Sequence, residues 1–197
     1  MRILVAFTLS CLICVGARAD TPAARAVIEK LEMGLISVMA QADALGFEGR
    51  YQMLVPLLSD NFDLAYVSEL VLRRAWSELT DQQRSDFATR LKELTASTYA
   101  GELAQLTDEK FVVTEARALK RGRVLVRSEL RTSDSVEQFD YVLHRVGDAW
   151  RIINVSVNGV SDLALKRAEY ARLIESGGFD GLMAQIETQI DEYRAAK

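Results

Sequence analysis

His144 is the only histidine in the chain, and it stands four residues after Asp140 in the run VEQFDYVLHRV. A histidine and a carboxylate are the parts of a general acid/base pair. Two strand residues four apart share a face, but they are separated by roughly 13 Å, so Asp140 and His144 do not form a direct dyad. His144 is read most simply as an exposed strand residue. Asp63, directly after Phe62, is a second carboxylate with acid or base chemistry, although an Asp at a helix start most simply caps it. The two cysteines, Cys11 and Cys14, both fall in an apolar stretch near the start. No Gly-rich phosphate loop, HExxH or G-x-S-x-G motif occurs. No cluster of nitrogen and sulfur ligands with metal-site spacing is present. The expectation is a protein with no catalytic residues, no metal and no cofactor.

The first residues read as an export signal. Arg2 precedes the apolar run Ile3 to Val15, and Ala17-Arg18-Ala19 has the small-x-small form of a cleavage site. The run is shorter than the ~18 residues of a membrane-spanning helix. Thr8-Leu9-Ser10 lacks the leucine that usually stands three residues before a lipid-modified cysteine, so Cys11 is not read as an anchor. The expected division is a signal peptide over 1–19 and one domain over 20–197, exported to the periplasm and free of disulfides. Such a domain is long enough to bury roughly 70% of its unfolded surface.

The formal charge of -4 becomes -6 once Arg2 and Arg18 are removed with the leader. Basic residues are scattered, whereas phosphate-binding surfaces need them clustered. Nucleic acid is therefore not an expected partner, and a strongly anionic membrane surface is not the main one.

The elements that position these side chains follow from periodicity. Val27, Leu31, Leu35, Val38, Ala42 and Leu45 recur at steps of three and four, which predicts a helix from Asp20 to Leu45 ended by Gly46. A short helix from Phe47 to Leu58 follows, with Pro56 obscuring its end. Phe62, Tyr66 and Leu70 fall on one helical face, and Trp76 comes shortly before Thr80-Asp81-Gln82-Gln83, a capping box that opens another helix. Phe87, Leu91, Leu94 and Tyr99 mark its buried side.

At Lys110 the pattern changes to four strand-like runs rich in Val, Ile and aromatics, separated by short turn sequences. They predict an antiparallel meander. Phe139, Tyr141 and Leu143 share one side of the third strand, and Ile153, Val155 and Val157 one side of the fourth. That apolar face needs helices over it. After Asn158-Gly159, Ser161 is placed to cap a helix over Asp162 to Glu175, and Gly177-Gly178 precedes another over Asp180 to Ala195. The fold class is α+β, a four-stranded antiparallel meander covered on its apolar face by N- and C-terminal helices.

An exported domain with an apolar sheet face, aromatic-bearing helices and no catalytic parts fits a carrier for an apolar molecule. At ~0.8 kcal/mol per methylene, one long acyl chain represents on the order of 10 kcal/mol of transfer free energy. It crosses water only when covered.

The runs FDLAYVSELVLRRAWSELTDQQRSDF, TYAGEL and WRIINVSVNGVSDLALKRAEYARLIESGGFDGL resemble the MlaC family of toluene-tolerance and ABC-transporter auxiliary proteins, over roughly Val55 to Ile190. The resemblance implies a periplasmic phospholipid-binding protein carrying lipid between an outer-membrane lipoprotein complex and an inner-membrane MCE-domain ABC transporter. It also implies a fold resembling the NTF2-like group, with acyl chains between sheet and helices. Two positions depart from the family pattern. Leu72-Arg73 stands where many members have Leu-Gly, and Tyr170 stands where they have Phe. SDLALKRAEYARLIESGGFDGL is similar to the hopanoid-associated HpnM branch, which makes a hopanoid-like lipid an alternative cargo.

The expected lipid-binding residues are Phe62, Tyr66, Leu70, Trp76, Tyr99, Val126, Phe139, Tyr141, Val155 and Val157. Arg167 is the expected headgroup neighbour, and a monomer the expected state. The alternative function is an NTF2-like enzyme using Asp140 or Asp63 as a general base within an apolar pocket, and a third is an exported interaction module with a solid core.

Overall fold

The computed structural model describes residues 20–103 and 105–195. The expected leader and its cleavage point lie outside them. Two helices open the fold, α1 (Asp20–Met39) and α2 (Ala42–Asn61). Ala24, Ile28, Leu31, Leu35 and Val38 form the buried stripe of α1, as their spacing dictates. The single helix expected up to Leu45 is thus divided at Ala40-Gln41. The apolar spacing continues through Ala42, which is itself fully buried, so periodicity carries no trace of the turn. Gly46, at φ 58°, breaks the first turn of α2. Pro56 sits on the exposed side of α2 without ending it, and the helix runs on to Asn61. The two helices approach closely at Gly34, where a Cβ would lie 2.6 Å from Leu57 Cδ1.

Next come α3 (Leu64–Leu72), α4 (Arg74–Glu78) and α5 (Asp81–Glu102). The Thr80 capping box forms as expected. Thr80 Oγ1 accepts from the Gln83 amide at 3.2 Å, while Gln83 Oε1 accepts from the Thr80 amide at 2.9 Å. Arg73 joins α3 to α4 at φ 51°, ψ -115°, a region open to glycine and strained for any side chain. The Leu-Gly to Leu-Arg departure therefore falls on a backbone position that glycine fits best.

The sheet is a meander of β1 (Lys110–Ala118), β2 (Val124–Arg131), β3 (Val136–Val146), β4 (Ala149–Val157) and β5 (Val160–Ser161), neighbours in that order. It has five strands where four were expected. The extra one is two residues long and returns against β4 across Asn158-Gly159, whose φ angles of 49° and 83° suit a tight hairpin turn. Val126 lies opposite Tyr141, and Tyr141 opposite Val155, so these side chains share the helix-covered face. The strict alternation expected in β4 fails at a bulge. Leu143 pairs with Ile152 and Val142 with Asn154, leaving Ile153 extra. Both Ile152 and Ile153 are consequently buried.

The last helix, α6 (Asp162–Ala195), is interrupted at Gly178, φ 67°, and so falls into the two expected segments. Its start is tied to β4. Ser161 Oγ accepts from the Ala164 amide at 3.2 Å and donates to Asn154 Oδ1 at 2.8 Å, which also accepts from the Leu163 amide at 3.3 Å.

Two apolar clusters result. One joins α1, α2 and the later part of α5 to the sheet; the other joins α3, the earlier part of α5 and α6. Helix α5 serves both, with Phe87, Leu91 and Leu94 in the second and Ala96 and Ala100 in the first.

Candidate functional site

Where the two clusters meet they do not close. A cavity of about 460 Å³ remains between the sheet and the helices, within the range typical of small-molecule sites. Its sheet side carries Phe111 of β1, Leu130 of β2, Phe139 and Tyr141 of β3, and Ile153, Val155 and Val157 of β4. The aromatic members form a ladder. Phe111 meets Phe139 edge-on at 5.9 Å, and Phe139 stacks on Tyr141 at 6.2 Å.

The helix side carries Leu35 and Met39 of α1, Leu64 and Val67 of α3, Leu91, Thr95, Thr98 and Tyr99 of α5, and Leu163 of α6. The two threonines do not make the wall polar. Thr95 Oγ1 donates to the Leu91 carbonyl at 2.7 Å and Thr98 Oγ1 to the Leu94 carbonyl at 2.9 Å, so each hydroxyl is satisfied within its own helix. Burial raises the phenol pKa of both Tyr99 and Tyr141 above the ordinary tyrosine value. Both remain neutral at any physiological pH.

Charged residues also border the cavity: Glu102, Glu109, Glu137, Asp162 and Lys166. Lys166 Nζ lies 2.9 Å from Asp162 Oδ1, and this lysine is the cation that reaches the cavity among the described residues. Arg167, the expected headgroup neighbour, turns the other way. Its Nε and Nη2 donate to the Leu70 carbonyl at 3.2 and 3.0 Å, closing the end of α3.

Of the ten residues expected around a ligand, Phe62, Tyr99, Phe139, Tyr141, Val155 and Val157 line the cavity. The other four stand elsewhere. Tyr66 stacks on His144 with ring centroids 4.7 Å apart. Leu70 presents its carbonyl to Arg167. Trp76 lies at the edge of the second cluster beneath the Arg84 guanidinium, 5.7 Å from its ring centroid. Val126 is fully buried in the first cluster. Helical and strand periodicity identifies a buried face, and a buried face meets either packing or open space. Leu130 was within reach of the sequence, being two strand steps from Val126 on the same face, whereas Met39 and Leu163 gave no distinguishing signal.

The acid/base candidates are arranged differently from their sequence reading. Asp140 is held by Arg127 in a fork, with Nε to Oδ1 at 2.7 Å and Nη2 to Oδ2 at 2.9 Å. The partner of His144 is Asp63, whose Oδ2 lies 2.9 Å from Nε2. Asp63 also caps α3 as expected, Oδ1 accepting from the Tyr66 amide at 3.0 Å. Neither Asp63, Asp140 nor His144 lines the cavity. No group of three or more His, Cys, Asp or Glu able to hold a metal occurs among the described residues.

A carboxyl group is buried inside the first cluster's territory. Glu32 of α1 is 4% exposed, and burial pushes its carboxyl up to about 7. Neither Glu32 Oε1 nor the neighbouring Ser128 Oγ finds a hydrogen-bond partner among the described residues.

Fold and cavity together define an α+β ligand-binding domain, a twisted meander roofed by helices with an apolar chamber between them. The chain matches the family model described as "MlaC protein" over residues 29–188 and belongs to that family. Among solved structures it resembles a phospholipid-binding protein from Ralstonia solanacearum in complex with a phospholipid. The TM-score is 0.78 at 19% identity, over 87% of this chain and 98% of that one. No curated protein matches the chain.

Proposed function

We propose that the protein is a periplasmic lipid carrier that holds its cargo noncovalently in the chamber between sheet and helices. The observation that carries this reading is the 460 Å³ apolar cavity in a member of the MlaC family. The protein of like fold that holds a phospholipid supports it. No helix among the described residues is long and apolar enough to cross a membrane. The cargo is a phospholipid, with a hopanoid-like lipid as the alternative. The protein, acting as a monomer, passes it between an outer-membrane lipoprotein complex and an inner-membrane MCE-domain ABC transporter.

Phe62, Tyr99, Phe139, Tyr141, Val155 and Val157 contact the acyl chains. Each buried methylene is worth ~0.8 kcal/mol, so the chains supply most of the affinity and the polar end of the lipid remains near Lys166 and Asp162. Nothing is catalysed. A cavity base is what the enzymatic alternative requires, and both of its named carboxylates are engaged outside the cavity. The test is uptake of phospholipid from vesicles by the purified, delipidated protein. Saturable uptake of lipid into the soluble fraction supports the proposal, and absence of uptake refutes it.

A further inference from the structure

A second concavity, about 470 Å³, opens between the end of α3, α4 and α6. Its floor is apolar, from Val71, Leu72, Ala75, Ala171 and Ile174, and the remaining lining residues are Arg73, Arg74 and Arg167. Among the described residues no carboxylate lines it, although acidic residues outnumber basic ones 28 to 24 in the whole chain.

The three arginines differ in what holds them. Arg167 is fixed against the Leu70 carbonyl. Arg74 makes a loose pair with Glu78 at 3.4 Å, its side chain 93% exposed. Arg73 makes no side-chain hydrogen bond or ion pair among the described residues, and it occupies the strained φ of 51°. Exposed and without a bonding partner among the described residues, the Arg73 guanidinium is available to a group from another molecule.

We infer that this groove is a docking site for an acidic, amphipathic segment of a partner protein. Carboxylates of that segment meet Arg73 and Arg74, and an apolar side chain enters over Leu72 and Ile174. Guanidinium forks match carboxylates in a bidentate manner. The surrounding charge gives the segment an orientation. Glu102, Glu109, Glu137 and Asp162, with the single cation Lys166, border the cavity and repel it on balance, while the arginines of the groove attract it. A concave floor accommodates side chains better than a plane of headgroups, and the net negative chain is repelled by an anionic bilayer. The proposal is independent of the cargo in the cavity.

The experiment uses the purified protein and a short, labelled synthetic peptide carrying Leu and Glu on opposite helical faces, read by fluorescence anisotropy. Its counterpart has Gln for every Glu. The expected results are binding of the Glu peptide that weakens with salt, and none of the Gln peptide. Arg73→Gly combined with Arg74→Gln weakens binding about fivefold or more, while Lys30→Gln, on the exposed side of α1, leaves it unchanged. Arg73→Gly removes the backbone strain, so an unfolding midpoint no lower than that of the parent confirms that the loss is not one of folding. No binding of the Glu peptide, or equal binding by the double variant, overturns the proposal. It is also overturned if phosphatidylglycerol vesicles bind through the same arginines and the peptide does not, because the groove would then be a membrane contact.

Discussion

Asp63 Oδ2 lies 2.9 Å from His144 Nε2, joining residues 81 apart in the chain. The same aspartate caps α3 through the Tyr66 amide, and its own amide donates to the Ile152 carbonyl at 3.0 Å. Tyr66, one turn into the helix, lies flat on the imidazole. Asp63 thus sets where α3 departs from the sheet, and with it the positions of Leu64 and Val67 on the cavity wall.

Asp63→Ala removes a helix cap, worth about 1 kcal/mol, and leaves His144 without its partner. The expected loss is about 2–3 kcal/mol in urea unfolding. Asp63→Asn keeps an oxygen for the cap and loses less. Equal stability of parent and Ala variant would show that the constellation is incidental.

Glu32 makes stability depend on pH with a definite sign. Its carboxyl titrates near 4.5 when unfolded and at about 7 when folded. Between those values the folded state binds more protons, so this group's contribution falls as pH rises and is fully lost above about 7. The difference corresponds to at most about 3 kcal/mol. Glu32→Gln abolishes the titration. Denaturant midpoints at pH 5 and pH 8 should therefore lie closer together in the variant, with the gain at pH 8. A variant whose pH profile parallels the parent's would contradict the burial argument.

Tyr170 is buried edge-on against Phe87, and its hydroxyl finds no partner among the described residues. A buried unsatisfied hydroxyl costs more than its absence. Tyr170→Phe should stabilise the protein by about 1 kcal/mol, seen as a higher urea midpoint with unchanged slope. A lower midpoint would reveal a partner for the hydroxyl.

Val155 lines the cavity opposite Tyr141, while Val157 is 36% exposed. Val155→Trp should fill the chamber and reduce lipid uptake about tenfold or more, the equivalent of about two lost methylene contacts. Val157→Trp should reduce it less. Uptake is measured from vesicles alongside thermal unfolding, and the account requires a cooperative transition in both variants. Uptake unchanged by Val155→Trp would place the cargo elsewhere.

Much of the fold was legible in the sequence because local physics dominates there. Period-two alternation and short turn sequences located the first four strands, and Thr80 with Gln83 marked the start of α5 to the residue. Features that depend on distant contacts were not legible. The bulge at Ile153 arises from pairing with β3, the α1–α2 turn is hidden by apolar spacing that continues through it, and Asp63 finds His144 only once α3 is packed. The same limit applies to the cavity. Val126 and Val155 share one face of the sheet, yet the first meets packed side chains and the second open space. Alternation tells which face is covered and is silent about how closely.

The central claim, that the chamber carries lipid, is tested most directly by native mass spectrometry of the protein purified from its own cells, followed by identification of the released ligand. The account predicts a mass excess matching a phospholipid or a hopanoid-like lipid, diminished in Val155→Trp. A protein uniformly at its bare polypeptide mass that also takes up no lipid from vesicles would contradict it.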